Sequence, residues 1–178
     1  MAEQKNLLRW WVEQCGGYPA PTPTNWPAML RDLLLAGPDR APVFSAEGFD
    51  IRRYRGELYL VPHAERLPGG PLWLEPGKPV DWLGQRVQLE PAATAHTHMP
   101  KIRVVARQGG ERIREWPQGH SRPLKKWLQD KAVPPWERAR IPLLYEADEL
   151  VGVGQFWLSP KYSGPAPESG WRIIWGGI

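Results

Sequence analysis

The sequence contains a single cysteine, Cys15, among 178 residues. One thiol cannot form an internal disulfide, and it cannot supply the ligands of a cysteine-based zinc site. No apolar stretch approaches the roughly 18 residues that cross a bilayer. The first residues, MAEQKNLLRWW, do not resemble a secretory signal peptide. We therefore expect a cytoplasmic protein that does not span a membrane.

Motifs that bind nucleotides or metals are also missing. The sequence has no GxxxxGK[ST], no GxGxxG and no HExxH. None of its Gly-Gly pairs carries the serines and the aspartate of an SGGxDS pyrophosphate loop. His96 and His98 form an HxH pair with no cysteine or paired carboxylates nearby to complete a metal site. We predict no catalytic residue, no metal and no cofactor in this chain.

Proline, glycine and tryptophan are abundant, with 21, 18 and 11 residues. So many prolines and glycines favour turns between short elements. The length suits one compact domain or two small ones. Most tryptophans should fill the core, since one ring buries about 150–250 Å². Trp116 and Trp136 are the best candidates for stacking on unpaired bases.

The first part of the chain carries helical patterns followed by strand patterns. Residues 4–15 predict an amphipathic helix. Its apolar stripe includes Cys15, which we predict to be a core residue. Thr24 or Asn25 can cap a second helix. The side chains then alternate from Phe49 onward. This alternation predicts a hairpin that carries Arg52, Arg53 and Arg55.

The remaining patterns predict two small domains of α+β class. Residues 91–100 are flanked by prolines and lack periodicity, which predicts a linker between domains at 1–90 and 101–178. Gly109 and Gly110 predict a hairpin, because paired glycines supply the positive φ of primed turns. A short helix over 122–131, capped by Ser121, should follow this hairpin.

Positive charge is concentrated in residues 101–140, which hold 11 lysines and arginines against 4 acidic residues. On the predicted helix, Leu124, Trp127 and Leu128 share one face, so that the opposite face displays cations. Such a cluster can neutralise RNA phosphates without reading bases. The alternative is an ordinary solvated face with local ion pairs. The candidate nucleic-acid-binding residues are Arg112, Arg114, His120, Arg122, Lys125, Lys126, Arg138 and Arg140, with Arg52, Arg53 and Arg55 in the first hairpin.

Four runs follow one another between Arg107 and Tyr145: RQGGERI, LKKWLQ, VPPWER and PLLY. This series resembles the C-terminal domain of tRNA(Ile)-lysidine synthetases. NLLRWW and IRRYRGELYLVP, in the first half, resemble the middle, substrate-binding domain of that family. For residues 101–178 the resemblance implies a layered β domain with flanking short helices.

The resemblance also implies a function for the parent enzyme. That enzyme uses ATP to attach lysine to the wobble cytidine of the CAU anticodon of tRNA(Ile), in an N-terminal domain that carries SGGxDS. This sequence lacks the loop, so we expect it to bind the tRNA body and acceptor stem beside that catalytic domain, and not to catalyse the reaction alone. One alternative is a structural or oligomerisation module, which would form a homodimer. Another is a separate enzyme that uses His96, His98 or His120.

Overall fold

The computed structural model describes residues 2–37, 40–63, 66–92 and 99–177. The chain forms two compact units, Met1–Glu65 and Arg66–Ile178. Each unit combines helices with antiparallel sheet, so the predicted α+β class is confirmed.

The first unit packs two helices on a three-stranded antiparallel sheet. Its helices are α1 (Ala2–Gly16) and α2 (Trp26–Leu35). Its strands pair in chain order and are β1 (Val43–Ala46), β2 (Phe49–Tyr54) and β3 (Glu57–Pro62). The core of this unit consists of the buried side chains of Leu8, Val12, Met29, Leu30, Leu33, Phe49 and Ile51.

Local signals in this unit are partly confirmed. Asn25, one of the two predicted caps, accepts a hydrogen bond at its Oδ1 from the backbone N–H of Ala28, at 3.0 Å. The core prediction for Cys15 is wrong, because its side chain is exposed. On α1 only Leu8 and Val12 are buried. The part of the helix that packs into the core is therefore narrower than its apolar stripe in the sequence.

The second unit contains ten strands, two short α-helices and one 3-10 helix, Pro160–Tyr162, among its described residues. The α-helices are α3 (Leu124–Asp130) and α4 (Pro135–Arg138). The strands are β4 (Leu72–Leu74), β5 (Val80–Trp82), β6 (Gln85–Pro91), β7 (Ile102–Val105), β8 (Arg112–Ile113), β9 (Arg122–Pro123), β10 (Leu143–Glu146), β11 (Glu149–Val153), β12 (Trp157–Leu158) and β13 (Trp171–Gly177). They form a five-stranded sheet in the order β12-β11-β10-β7-β4, a three-stranded sheet β13-β6-β5 and the ribbon β8-β9.

The chain divides between Glu65 and Arg66 and not within the predicted linker at 91–100. β4 pairs with β7, and β6 pairs with β13 along its whole length. The strands β4, β5 and β6 therefore belong to the second unit, although residues 72–90 were predicted to lie in the first domain. Residues 93–98 of the predicted linker lie outside the described residues.

Three layers make up the second unit. One apolar cluster, which includes Val104, Leu144 and Trp171, fills the space between the five-stranded and three-stranded sheets. A second cluster joins α3 to the opposite face of the five-stranded sheet, where it meets Leu143 and Val153. The five-stranded sheet is thus covered on both faces, and α3 forms an outer layer.

A β-bulge on β11 changes which side chains of this strand face each of the two clusters. The register between β10 and β11 shifts at Leu144 and leaves Val151 without a directly opposed residue. Val151 and Val153 consequently pack into different clusters, although residues two apart on a regular strand face the same side.

Gly109 and Gly110 have positive φ angles of 96° and 82°, as paired glycines favour. The hairpin predicted across them is nevertheless wrong, because β7 pairs with β10 and β4, and β8 pairs with β9. The glycines turn the chain around the Glu111 carboxylate. Its Oε1 accepts hydrogen bonds from the backbone N–H groups of Gln108 at 2.6 Å and Gly109 at 2.7 Å.

The first prediction concerns the packing of α3 on the five-stranded sheet. Leu128→Ala removes a fully buried side chain and should lower the free energy of unfolding by about 2–5 kcal/mol. Lys126→Ala, at an exposed position of the same helix, should change it by less than about 0.5 kcal/mol. Urea denaturation followed by tryptophan fluorescence measures both. Equal effects of the two substitutions would contradict the packing described for α3.

The second prediction concerns the pH dependence of the Glu111 loop. Burial raises the pKa of Glu111, but the loop N–H groups and Arg107 outweigh it, so that the pKa lies below its ordinary value of about 4.5. A lowered folded-state pKa means that the carboxylate stabilises the fold above about pH 4.5 and ceases to do so as the pH falls through that lower pKa.

Glu111→Gln should therefore cost about 1–3 kcal/mol of unfolding free energy at pH 7, and less in acid. Urea denaturation at pH 7 and near pH 3 checks the difference. Asp148→Asn, at an exposed carboxylate, is the matched control and should have little effect at either pH. If Glu111→Gln lowers the unfolding free energy by the same amount at both pH values, the negative charge of Glu111 does not stabilise the loop.

Candidate nucleic-acid interface

Helix α3 presents two lysines on a rigid support. Its apolar face is buried as predicted, with Leu124, Trp127 and Leu128 at most 1% exposed. Lys125 and Lys126 lie on the exposed face. Among the residues that the structure describes, neither ammonium group has a hydrogen-bond or ion-pair partner. Both cations are therefore available to an external anion.

The start of α3 differs from the prediction. The helix begins at Leu124 after Pro123, with no side-chain cap. Ser121 instead contacts Arg112, since its Oγ accepts a hydrogen bond from Nε at 3.0 Å and its carbonyl accepts one from Nη2 at 2.7 Å. The backbone N–H of Leu124 donates to the carbonyl of Glu111 at 2.8 Å, which ties the helix to the glycine loop.

Arg122 lies in strand β9 and forms two ion pairs. Its Nη2 is 3.0 Å from a carboxylate oxygen of Glu115, and its Nη1 is 2.9 Å from one of Asp130. The side chain thus connects the segment after β8 with the last residue of α3. This arrangement holds the helix in place and leaves less of the charge for an external ligand.

Arg138 donates its Nε hydrogen to the carbonyl of Val133 at 2.7 Å, and its own carbonyl accepts a hydrogen bond from Arg107 at 3.4 Å. These contacts hold the segment around α4 in place. Arg140 is half-buried, near Glu137. Burial raises the pKa of Glu137, and the charge of Arg140 opposes this only in part.

Arg114 and His120 are exposed, and no described residue pairs with either of them. They flank the segment between β8 and β9, where the Trp116 side chain is 69% exposed. Trp136, the other stacking candidate, is half-buried. Of the residues predicted in this region, Arg114, His120, Lys125 and Lys126 are therefore the exposed ones without a partner in the described part of the chain.

The three predicted residues of the first unit all have contacts of their own. Arg52 forms an ion pair with the buried Asp50 at 2.7 Å. Arg53 donates to the carbonyl of Ala36 at 2.7 Å. The guanidinium of Arg55 lies 5.6 Å from the ring centroid of Tyr54. The hairpin arginines thus contribute to the first unit's internal contacts.

The structure also forms a cleft that sequence reasoning missed. It has a volume of about 580 Å³ and lies between the β8–β9 segment and the end of the five-stranded sheet. We call it the Arg114 cleft; its charged and aromatic lining includes Arg112, Arg114, Glu149, Trp157, Lys161 and Glu168. No local sequence signal could reveal it, because its two walls come from separate stretches of the chain.

Metal ligands do not gather in the described residues: no group of three or more histidine, cysteine or carboxylate side chains could hold an ion there. His96 and His98 lie outside the described residues. In the described part of the chain, no helix has the length and apolarity needed to cross a membrane.

Two family models match the chain. The model described as "TilS substrate binding domain" matches residues 1–59, and the one described as "TilS substrate C-terminal domain" matches residues 102–175. The first match lies within the first unit and the second within the second unit.

Curated proteins named tRNA(Ile)-lysidine synthase align with most of this chain. The protein of Xylella fastidiosa (strain Temecula1) is 37% identical over 164 residues, which cover 89% of this chain and 37% of that protein. The protein of Coxiella burnetii is 31% identical, with coverages of 96% and 39%. The Pseudomonas aeruginosa protein is 34% identical, with coverages of 98% and 37%. The chain thus spans about two fifths of the length of these relatives.

The resemblance seen in the sequence and the two domain matches agree along the chain. The chain belongs to the tRNA(Ile)-lysidine synthase family, of which it carries the substrate-binding and C-terminal domains.

Proposed function

We propose that this chain is the tRNA-recognition portion of a lysidine synthase, and that α3 contacts the phosphates of a helical stem. The observation that carries the proposal is the pair Lys125 and Lys126, exposed and without partners among the described residues, on a helix whose other face is buried. Arg114 and His120 extend this basic surface. The names of the relatives supply tRNA(Ile) as the RNA.

The physical chemistry of RNA supports this mode of contact. The deep groove of an A-form helix is closed to side chains, so proteins recognise such stems by backbone shape, phosphates and 2′-hydroxyls. Lysines on a rigid helix can neutralise phosphates and set the position of the stem without reading its sequence. Discrimination between tRNAs then requires additional contacts.

The rest of the reaction belongs to the parent enzyme in this proposal. A catalytic N-terminal domain binds ATP and joins lysine to the wobble cytidine of the CAU anticodon, while this chain holds the tRNA body and acceptor stem. The chain itself then needs no cofactor and no catalytic residue. The complete enzyme works in the cytoplasm, where its tRNA is found.

The third prediction tests the basic surface by tRNA binding at several salt concentrations. Lys126→Glu should weaken binding of tRNA(Ile) with a CAU anticodon. It should also reduce the slope of log affinity against log salt by about one, because binding that makes one phosphate contact fewer releases about one counterion fewer. Lys125→Glu combined with Lys126→Glu should reduce the slope by about two.

Arg86→Glu is the matched control for Lys126→Glu. Arg86 is exposed on β6, in the three-stranded sheet that lies on the far side of the five-stranded sheet from α3. The Arg86→Glu substitution changes the charge by the same amount as Lys126→Glu, and it should leave the slope of log affinity against log salt unchanged. If Lys126→Glu and Arg86→Glu weaken tRNA binding equally, the loss of affinity comes from the net charge and not from the position of Lys126. Unchanged binding in the lysine variants would refute the proposed surface.

A structural or oligomerisation module is the second candidate, and one observation in the first unit favours it. Leu7, Trp10 and Leu35 are 65%, 56% and 78% exposed on α1 and α2. This reading predicts a dimer in sedimentation equilibrium that dissociates when Leu7 and Trp10 are changed to serine, together with salt-independent tRNA affinity. A monomer at all concentrations would exclude self-association.

A further inference from the structure

The Arg114 cleft has the size of a ligand site. Its volume of about 580 Å³ falls in the range of roughly 300–1,000 Å³ typical of small-molecule sites. Trp157 lies in its wall, and the indole Nε1–H donates to the carbonyl of Glu115 at 3.3 Å. This bond holds the half-buried ring at one orientation and spans the two walls. A fixed indole offers a flat apolar surface on which a base can stack.

The charges that line the cleft are balanced in number. Three of the lining residues are cations and three are carboxylates. Several are already neutralised within the protein, because Lys161 pairs with Glu146 and Glu115 pairs with Arg122. A groove that tracks an RNA strand by its backbone would instead be strongly positive. The cleft is therefore suited to a ligand that carries one anionic group and several hydrogen-bond donors.

Arg112 donates to the hydroxyl and the carbonyl of Ser121, and three other charged groups of the cleft remain available. Arg114, Glu149 and Glu168 are exposed and have no partner among the described residues. A guanidinium matches the geometry of a phosphate. The two carboxylates can only accept hydrogen bonds when ionised. Cytosine, adenine and guanine present amino groups that donate to such acceptors, whereas the base edge of uracil presents carbonyl oxygens on both sides of its N–H.

We infer that the Arg114 cleft binds one unpaired nucleotide of the RNA, with the phosphate at Arg114, the base against Trp157 and an amino group of the base at Glu149 or Glu168. This inference rests on the proposed function, since the RNA stem brings the nucleotide to the cleft. It adds a contact that prefers amino-bearing bases over uracil. The preference supplies discrimination that phosphate contacts at α3 cannot provide.

The test uses an RNA hairpin in three forms: blunt, with a 3′ tail of four cytidines, and with a 3′ tail of four uridines. Their dissociation constants for the full chain are measured by fluorescence anisotropy at several salt concentrations, and the two tails are compared at each concentration. The cytidine-tailed hairpin should bind roughly tenfold more tightly than the uridine-tailed one, the effect of one hydrogen bond to a charged group. Glu149→Gln combined with Glu168→Gln should bring this ratio close to one, because an amide also donates to uracil.

Asp148→Asn is the control, since Asp148 is exposed beside Glu149 in the sequence and does not line the cleft. It should leave the ratio intact. The ratio is the readout because a lost negative charge changes the affinity for all three hairpins alike. Equal binding of the two tails, or a ratio that survives the glutamate substitutions, overturns the inference. Loss of salt-dependent binding to the blunt hairpin counts against the proposed function instead, so the two failures are distinguishable.

Discussion

The outer face of the five-stranded sheet accepts the apolar side of α3, and the candidate interface depends on this contact. Trp127 and Leu128 pack against side chains of the sheet that include Leu143 and Val153. A seven-residue helix is too short to be stable in water by itself, so tertiary packing must hold it. The bulge on β11 contributes by directing Val151 and Val153 to opposite faces of the sheet. Apolar packing of the second unit therefore determines where the two lysines are displayed.

Three arginines and the two lysines of α3, all within residues 101–140, have different roles. A guanidinium presents five donors in a fixed plane, and this chain uses that geometry to connect loops through carbonyl and carboxylate groups. Arg107, Arg122 and Arg138 act in this way. The lysines of α3 have no such partners among the described residues. Counting positive charge in the sequence therefore overstates the charge that an external polyanion meets.

The proposals assign complementary tasks to two neighbouring surfaces of the second unit. The lysines of α3 provide charge for phosphates, which gives affinity without sequence information. The Arg114 cleft offers balanced charge, a fixed aromatic ring and two carboxylates that no described residue pairs with, which suit the reading of a base. Arg122 connects the two surfaces, because it pairs with Glu115 in the cleft wall and with Asp130 at the end of α3.

The sequence by itself determined features that depend on near neighbours in the chain. The cap of α2, the first hairpin, the buried face of α3 and the positive φ of the glycine pair all follow from residues a few positions apart. The tertiary structure alone decided that β6 pairs with β13, that Arg138 holds a loop, and that Glu115 meets Trp157 across the cleft. The strand pairing and the cleft join residues separated by tens of positions, whereas Arg138 meets a carbonyl only five residues away. Local periodicity carries no information about either kind of contact. Long-range packing selects the partners in the strand pairing and in the cleft, and the folded path of the backbone selects the carbonyl that Arg138 meets.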